Sequence, residues 1–280
     1  MILNELYESI AAQESPRKPA MRSLLLSFVA FTGFPILGMT LLLSLWWLGG
    51  VFISNNPDLV AFSAFAPGPT FEALYQLITG GTLWSTVSSS LSRILTGLVF
   101  GVVIGVPTGV LIGYIKTAQR ISNMPFQFLR MISPLAWMPI AVLAFDTWDS
   151  AIVFLIVMAA VWPVIFSTSH GVSKMDPSWF KVANNLGATT WQMLRTVILP
   201  AILTDVMSGI RLAVGVAWIV LVPAEYLGVT SGLGYAINDA RDTLEYDSLA
   251  AIVVVIGTIG FFLDWICSFL IKRYNWRLEV

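Results

Sequence analysis

The sequence predicts an all-α polytopic membrane protein with about six transmembrane helices, and three observations carry that expectation. The 280 residues are 57% apolar and only 11% charged, with a mean hydropathy of +0.81, a balance that suits a chain dissolved in lipid. Six apolar runs, at about 24–53, 86–114, 124–145, 151–170, 201–224 and 249–271, each come near the roughly 20 residues that cross hydrocarbon as a helix. Backbone N–H and C=O groups must pair internally in lipid, which leaves helix as the natural state of such runs.

The chain divides into a polar N-terminal segment, 1–22, and a transmembrane domain, 23–280. In the first, Ile2, Leu3, Leu6, Tyr7, Ile10 and Ala11 share one helical side, the pattern of an interfacial helix lying on a membrane. Arg17, Lys18 and Arg22 then precede the first run. That run is too long for a signal-peptide core and lacks a small-residue cleavage site, so it reads as a retained span. The segment 54–85 holds Pro57, Pro67, Pro69, Asp58 and Glu72 but no cation, and reads as a loop with a short amphipathic helix over 70–79.

The second run carries Gly97, Gly101, Gly105, Gly109 and Gly113, each four residues after the last. Positions four apart stack on one helix stripe, so the glycines form a groove for close helix packing, with Pro107 a kink or hinge within it. In the third run Pro134 and Pro139 bracket Trp137 and Met138, which implies a bent or partly unwound segment. Irregular backbone at membrane depth is tolerated only beside protein or a watery cavity, which places Trp137 and Met138 near a pathway. The connection over Asp146–Ser150 is tight.

Between the fourth and fifth runs, 176–200 is too polar for lipid. Asp176 or Ser178 can cap a helix and Pro177 fits its first turn, while Phe180, Ala183, Leu186, Leu194 and Val197 recur at helical spacing. Gly187 interrupts the pattern and Pro200 stops it. Two short helices meeting at Gly187 follow, an elbow that presents a knob; an amphipathic helix lying on the membrane is the alternative.

In the fifth run Arg211, Gly215, Trp218, Val222 and Glu225 follow a 4, 3, 4, 3 spacing and so share a face. Arg211 lies roughly 15 Å from the run's start at 1.5 Å per residue. A cation there faces the bundle interior or a watery path. Either it pairs with Asp264 at similar depth in the sixth run, or it helps an anion across. Glu225, near the run's other end, gates, repels cations or caps a turn. Arg93 and Arg130 are expected to snorkel to the outer and inner interfaces. The Gly-rich and mixed-charge stretch Tyr226–Asp247 reads as a surface for an extracytoplasmic partner.

Eleven of the 15 Lys and Arg residues lie before run one or after runs two, four and six. The positive-inside rule therefore puts both termini and the 176–200 loop in the cytoplasm. Several function classes are excluded. There is no GxxxxGK[ST] phosphate loop, no GxSxG and no HExxH, and a single Cys and a single His cannot build a metal cluster. No catalytic residue, metal site, cofactor or nucleic-acid surface is expected on this chain.

Ala183, Gly187 and Val197-Ile198-Leu199-Pro200 at their spacing resemble the "EAA" loop of ABC importer permeases, the cytoplasmic coupling helix that docks on a separate ATPase subunit. The chain departs from that pattern in having Lys181 and Val182 where Glu and Ala stand. SPLAWMPI is similar to the PPLAWLPL segment of the nitrate/taurine/sulfonate branch of these permeases, with Ser133 for the first proline. SLSRILTGL around Arg93, VWPVIFST around Trp162, SGIRLAVGVAWIVLVPAE and SGLGYAINDARD are similar too, and together they cover about 84–272.

The resemblance implies a type I ABC importer permease fold with a cytoplasmic coupling helix, in a bacterial inner membrane. It implies a permease homodimer, two ABC ATPase subunits, identical or different, that carry ATP and Mg, and an extracytoplasmic solute-binding protein. The implied cargo is a small oxyanion: nitrate or nitrite first, then bicarbonate or cyanate, then taurine and alkanesulfonates. Coupling falls to Ala183, Leu186, Gly187, Ala188, Leu199 and Pro200, and the pathway to Trp137, Met138, Trp162, Arg211, Trp218 and Glu225. An ion-gradient-driven secondary transporter is the competing class; against it, the chain shows no convincing internal repeat and keeps most acids in loops or near span ends.

Overall fold

The computed structural model describes residues 21–275. The expected interfacial helix of 1–22 therefore lies almost wholly outside the described residues, as do Trp276 and Arg277. The described chain is helical, with no strand among the described residues, in agreement with the all-α expectation. Five of its helices are long and apolar enough to cross a membrane, and a sixth crossing is made if one bent pair counts as a span.

The chain forms two compact units, which divide at Pro67. In the first, α1 (Met21–Ser54) carries the apolar window Gly33–Ser54. A 3₁₀ stretch, Pro57–Phe65, follows it and is capped by Asn56, whose side chain accepts from the Asp58 N–H. The Trp46 indole donates to the Phe65 carbonyl at 2.9 Å, fixing this stretch against α1.

The second unit begins with α2 (Pro67–Thr79), whose Thr70 and Ala73 are buried. After it come α3 (Thr82–Tyr114), α4 (Lys116–Met131), a 3₁₀ turn (Pro134–Trp137), α5 (Met138–Ala144) and α6 (Trp148–Ser173). The third apolar run, expected as 124–145, is thus two helices at 87°. Two causes are legible. Helices end before a proline, because its ring crowds the preceding residue out of the α region, so α4 stops ahead of Pro134. Pro139 then sits in the first turn of α5, where its missing N–H costs nothing.

The glycine stripe explains how α3 and α6 meet. A Cβ on Gly97, Gly101, Gly105, Gly109 or Gly113 would run into Ile156, Ala160, Val164, Thr168 or Val172 respectively. Both series advance by four, so the helices lie parallel and in register over their length, at a separation only glycine allows. α3 continues through Pro107 without interruption. Because α3 and α6 run in the same direction, the chain between them must travel back the length of the bundle. That return is made by α4, the 3₁₀ turn and α5, which is why the bent pair counts as one crossing.

α7 (Pro177–Asn185) and the short helical turns through Leu199–Ala201 lead into α8 (Leu203–Gly228), α9 (Leu233–Asp242) and α10 (Tyr246–Asn275). α8 runs antiparallel to α6: Gly171 abuts Asp205, Gly209 abuts Ser167 and Gly228 abuts Trp148. The main core, including Ile94, Ile152, Leu155, Ile156, Leu221 and Leu233, is fully or nearly fully buried.

Candidate functional site

At one end of the bundle, 176–201 builds the elbow. The Asp176 side chain accepts from the Ser178 N–H at 2.8 Å, and that bond holds its carboxyl below the usual carboxylate range. α7 closes where Gly187 takes φ +75°. The Gly187 N–H donates to the Asn184 carbonyl and the Ala188 N–H to the Ala183 carbonyl, each at 3.0 Å, the paired bonds of a Schellman motif. Thr189 and Gln192 then form a capping box that starts the next turn, and Met193–Ile198 is wound as a π-helix.

Ala183, Met193, Ile198, Ile202, Met175 and Val172 bury one another, with Phe180, Ala188, Leu194 and Val197 packed on them. The elbow is thereby fixed to the end of α6 and the start of α8. Leu186, spaced in the sequence with Phe180 and Ala183 and expected among the coupling residues, is 82% exposed. It belongs with Trp179 and Val182, also exposed, at i, i+3 and i+7 on the outer face of α7 and its cap. Leu199 and Pro200, also expected among the coupling residues, are exposed where the elbow joins α8.

At the opposite end lies a charged cluster that the sequence reading did not assemble. Arg93, expected to snorkel, is only 6% exposed, and Glu225 is fully buried. Arg93 Nη1 donates to Glu225 Oε1 at 2.7 Å and to the Ser231 carbonyl at 2.9 Å. Its Nε reaches Asp149 Oδ1 and its Nη2 reaches Ser231 Oγ, each at 2.7 Å. Glu225 also accepts from the Ser90 hydroxyl and from the Gly234 N–H, and Ser90 Oγ in turn accepts from the Leu233 N–H at 2.8 Å. α3, α6, the end of α8 and the start of α9 are tied at one point. Gly232, at φ +105°, lets the backbone pass so near that a Cβ would strike the Glu225 carboxyl. An Arg and a Glu near the same end of two spans were the only available signal.

The other expected pathway residues fall in different surroundings. Arg211 binds Asp264 through Nε and Nη2 at 2.7 and 2.8 Å, the structural pairing among the two alternatives. Trp218 is buried against Gly260 of α10. Trp137 and Met138 pack at the edge of the main core. Trp162 meets Phe126 edge-on at 5.5 Å and lines a groove of about 400 Å³ between the α4–α5 bend, α6 and α8. A larger groove of about 920 Å³ lies beside Arg93, with Ser88, Ser89, Ser92 and Thr96 in its wall. Among the described residues no group of acidic, His and Cys side chains could hold a metal ion.

Comparison with known proteins gives this architecture its place. Residues 97–276 match the family model described as the binding-protein-dependent transport system inner membrane component. The taurine transport system permease protein TauC of Escherichia coli is 32% identical over 251 residues, 86% of this chain and 89% of that protein. The bicarbonate transport system permease protein CmpB of Synechococcus elongatus is 36% identical over 156 residues, 55% of this chain and 56% of that protein. The nitrate import permease protein NrtB of Leptolyngbya laminosa is 32% identical over 148 residues, 53% of each. The chain thus spans about half the length of these last two relatives. A chain of the inward-facing MetNI methionine ABC transporter superposes with a TM-score of 0.57 over 69% of this chain and 96% of that one, at 16% identity, a likeness of fold. The family match begins at the first glycine of the stripe and takes in α6, the elbow, α8 and α9, so the chain belongs to the binding-protein-dependent inner membrane components, the permeases of ABC importers.

Proposed function

We propose that two copies of this chain form the membrane pathway of an ATP-driven importer of small anions. Nitrate or nitrite is the first candidate cargo, then bicarbonate or cyanate, then taurine and alkanesulfonates. A solute-binding protein delivers the anion on the outer side. On the cytoplasmic side two ATP-hydrolysing subunits, which carry ATP and Mg, each receive an elbow.

The observation that carries this reading is the elbow itself. An exposed apolar face of Trp179, Val182 and Leu186 stands on a helix locked at both ends by capping bonds. A contiguous exposed apolar face on an otherwise polar excursion fits a protein groove. Its inner side shares one core with the ends of α6 and α8, so displacement of the knob passes to two spans as a rigid movement. The positive-inside bias supports a cytoplasmic position for it. The relatives named for bicarbonate, nitrate and taurine transport supply the cargo class. Within the pathway, Trp162 lines open space, whereas Arg211, Trp218 and Glu225 are engaged within the chain.

Mild detergent extraction should co-purify a P-loop ATPase with this chain. The reconstituted complex with its binding protein should take up labelled nitrate, bicarbonate or taurine only with ATP. Uptake by this chain alone, driven by an ion gradient, refutes the proposal, and so does labelling of Leu186→Cys from outside intact cells.

A further inference from the structure

We propose that Arg130 is the anion-selecting residue of the translocation pathway, an inference that rests on the importer reading above. Arg130 lies in the last turn of α4, just before the bend at Pro134. Its guanidinium lies over the Phe166 ring, 5.1 Å from the centroid. Phe166 is seven residues from the end of α6, so the charge sits roughly 10 Å inside the span at 1.5 Å per residue.

The surroundings separate Arg130 from the other intramembrane cations. Arg93 is neutralised by Glu225 and Asp149, and Arg211 by Asp264. Arg130 has no carboxylate partner among the described residues; its one contact of note is the aromatic face. It helps line the 400 Å³ groove whose other members include Pro134, Trp162, Pro163, Phe166 and Ser167, and none of the lining residues is acidic. The polar side-chain groups offered there are donors: the guanidinium, the Trp162 indole N–H and the Ser167 hydroxyl, none of them spent on a hydrogen bond among the described residues.

A cation at this depth is costly unless something compensates it. Cation–π contact with one ring offsets about 0.5–2 kcal/mol and leaves the rest of the guanidinium, exposed on this chain, open to a second partner. An anion suits that open edge. A planar fork of N–H donors, with an indole N–H and a hydroxyl nearby, matches the edge of a small oxyanion, and the apolar walls strengthen the attraction while excluding bulk water. Since the charge is held by an aromatic face and not by a fixed carboxylate, the anion is not in competition with a resident counter-ion. It can bind and leave, which passage requires.

Two measurements on the complete complex test this. In reconstituted vesicles Arg130→Gln should lower ATP-dependent uptake of the transported anion by roughly tenfold or more, as loss of a charge-assisted bond implies. ATPase co-purification and ATP hydrolysis should persist, and Arg130→Lys, which keeps the charge but loses the planar fork, should restore the rate only in part. Independently of cargo, the emission due to Trp162, taken as the difference from Trp162→Phe, should be quenched by iodide severalfold more readily than by neutral acrylamide in dodecyl maltoside. Arg130→Gln should abolish that preference. Wild-type uptake in Arg130→Gln, or an iodide preference that survives it, overturns the proposal. So does a preference that added phospholipid abolishes, which assigns the guanidinium to a lipid phosphate. If the wild-type complex imports none of the three anions yet the Arg130-dependent preference holds, the anion site stands and the importer reading fails.

Discussion

The Arg93–Glu225 pair makes the sharpest stability prediction. Replacing Arg93 with Met removes the bonds to Glu225, Asp149 and Ser231 and leaves a fully buried carboxylate with only Ser90 and the Gly234 N–H as donors. Breaking a buried pair from one side costs about 3–5 kcal/mol, because the remaining charge keeps its desolvation penalty. At about 2–4 °C per kcal/mol for a domain approaching this size, the unfolding midpoint of the complex in detergent should fall by roughly 6–20 °C. Adding Glu225→Gln removes the orphaned charge but keeps a group that can accept from Ser90 and Gly234. The double variant should therefore recover at least half of the loss, and a double-mutant cycle should report strong coupling. A fall of less than about 2 °C for Arg93→Met, or losses that simply add, would refute the argument that this pair is a buried electrostatic tie.

Further outcomes follow from the packing and the elbow. Gly109→Ala puts a methyl 2.7 Å from the Ile165 carbonyl oxygen and 2.6 Å from Thr168 Cβ, an overpacking worth about 1–3 kcal/mol. Gly215→Ala meets nothing within 4 Å and should gain up to about 1 kcal/mol of helix propensity; thermal unfolding of the two variants decides the point. Leu186→Glu should leave the unfolding midpoint unchanged, since the side chain is 82% exposed, while reducing ATPase co-purification. Gly187→Pro cannot hold φ at +75°, so it should uncouple ATP hydrolysis from uptake, measured together in vesicles. The Asp176 cap, with its carboxyl held low, is intact at neutral pH and lost only as pH falls through that lowered value. Amide exchange of α7 should show the acid opening, and Asp176→Asn should remove its pH dependence.

Much of the bundle was readable because lipid imposes simple rules. Long apolar runs must be helical, and five glycines spaced by four can only be a seam. The Arg211–Asp264 bond was one of two weighed alternatives, legible because both charges lie at similar depth in adjacent runs. Gly187 was legible because a glycine between two helical patterns has few other uses. Three features escaped. The Arg93 cluster draws single residues from four elements, and no local pattern joins Ser90, Asp149, Glu225 and Ser231. Leu186 shares a spacing with Phe180 and Ala183 in the sequence, yet on α7 and its cap it falls with Trp179 and Val182 on the outer face. The third run was read from its apolar half, while α4 begins at Lys116 and is amphipathic, so the polar half of the crossing fell outside the window.

The constant register between α3 and α6 sets what kinds of length change this chain can absorb. Adding or removing one residue inside either helix turns everything beyond it by about 100°, and each glycine downstream would then face the wrong neighbour. The same insertion in the stretch between the two helices shifts numbering without disturbing a single seam contact. Related sequences that differ in length should therefore carry their gaps there, at the bend, and not in the paired helices. That bend also holds the proposed anion site, so the part of the fold freest to change length is the part best placed to alter cargo.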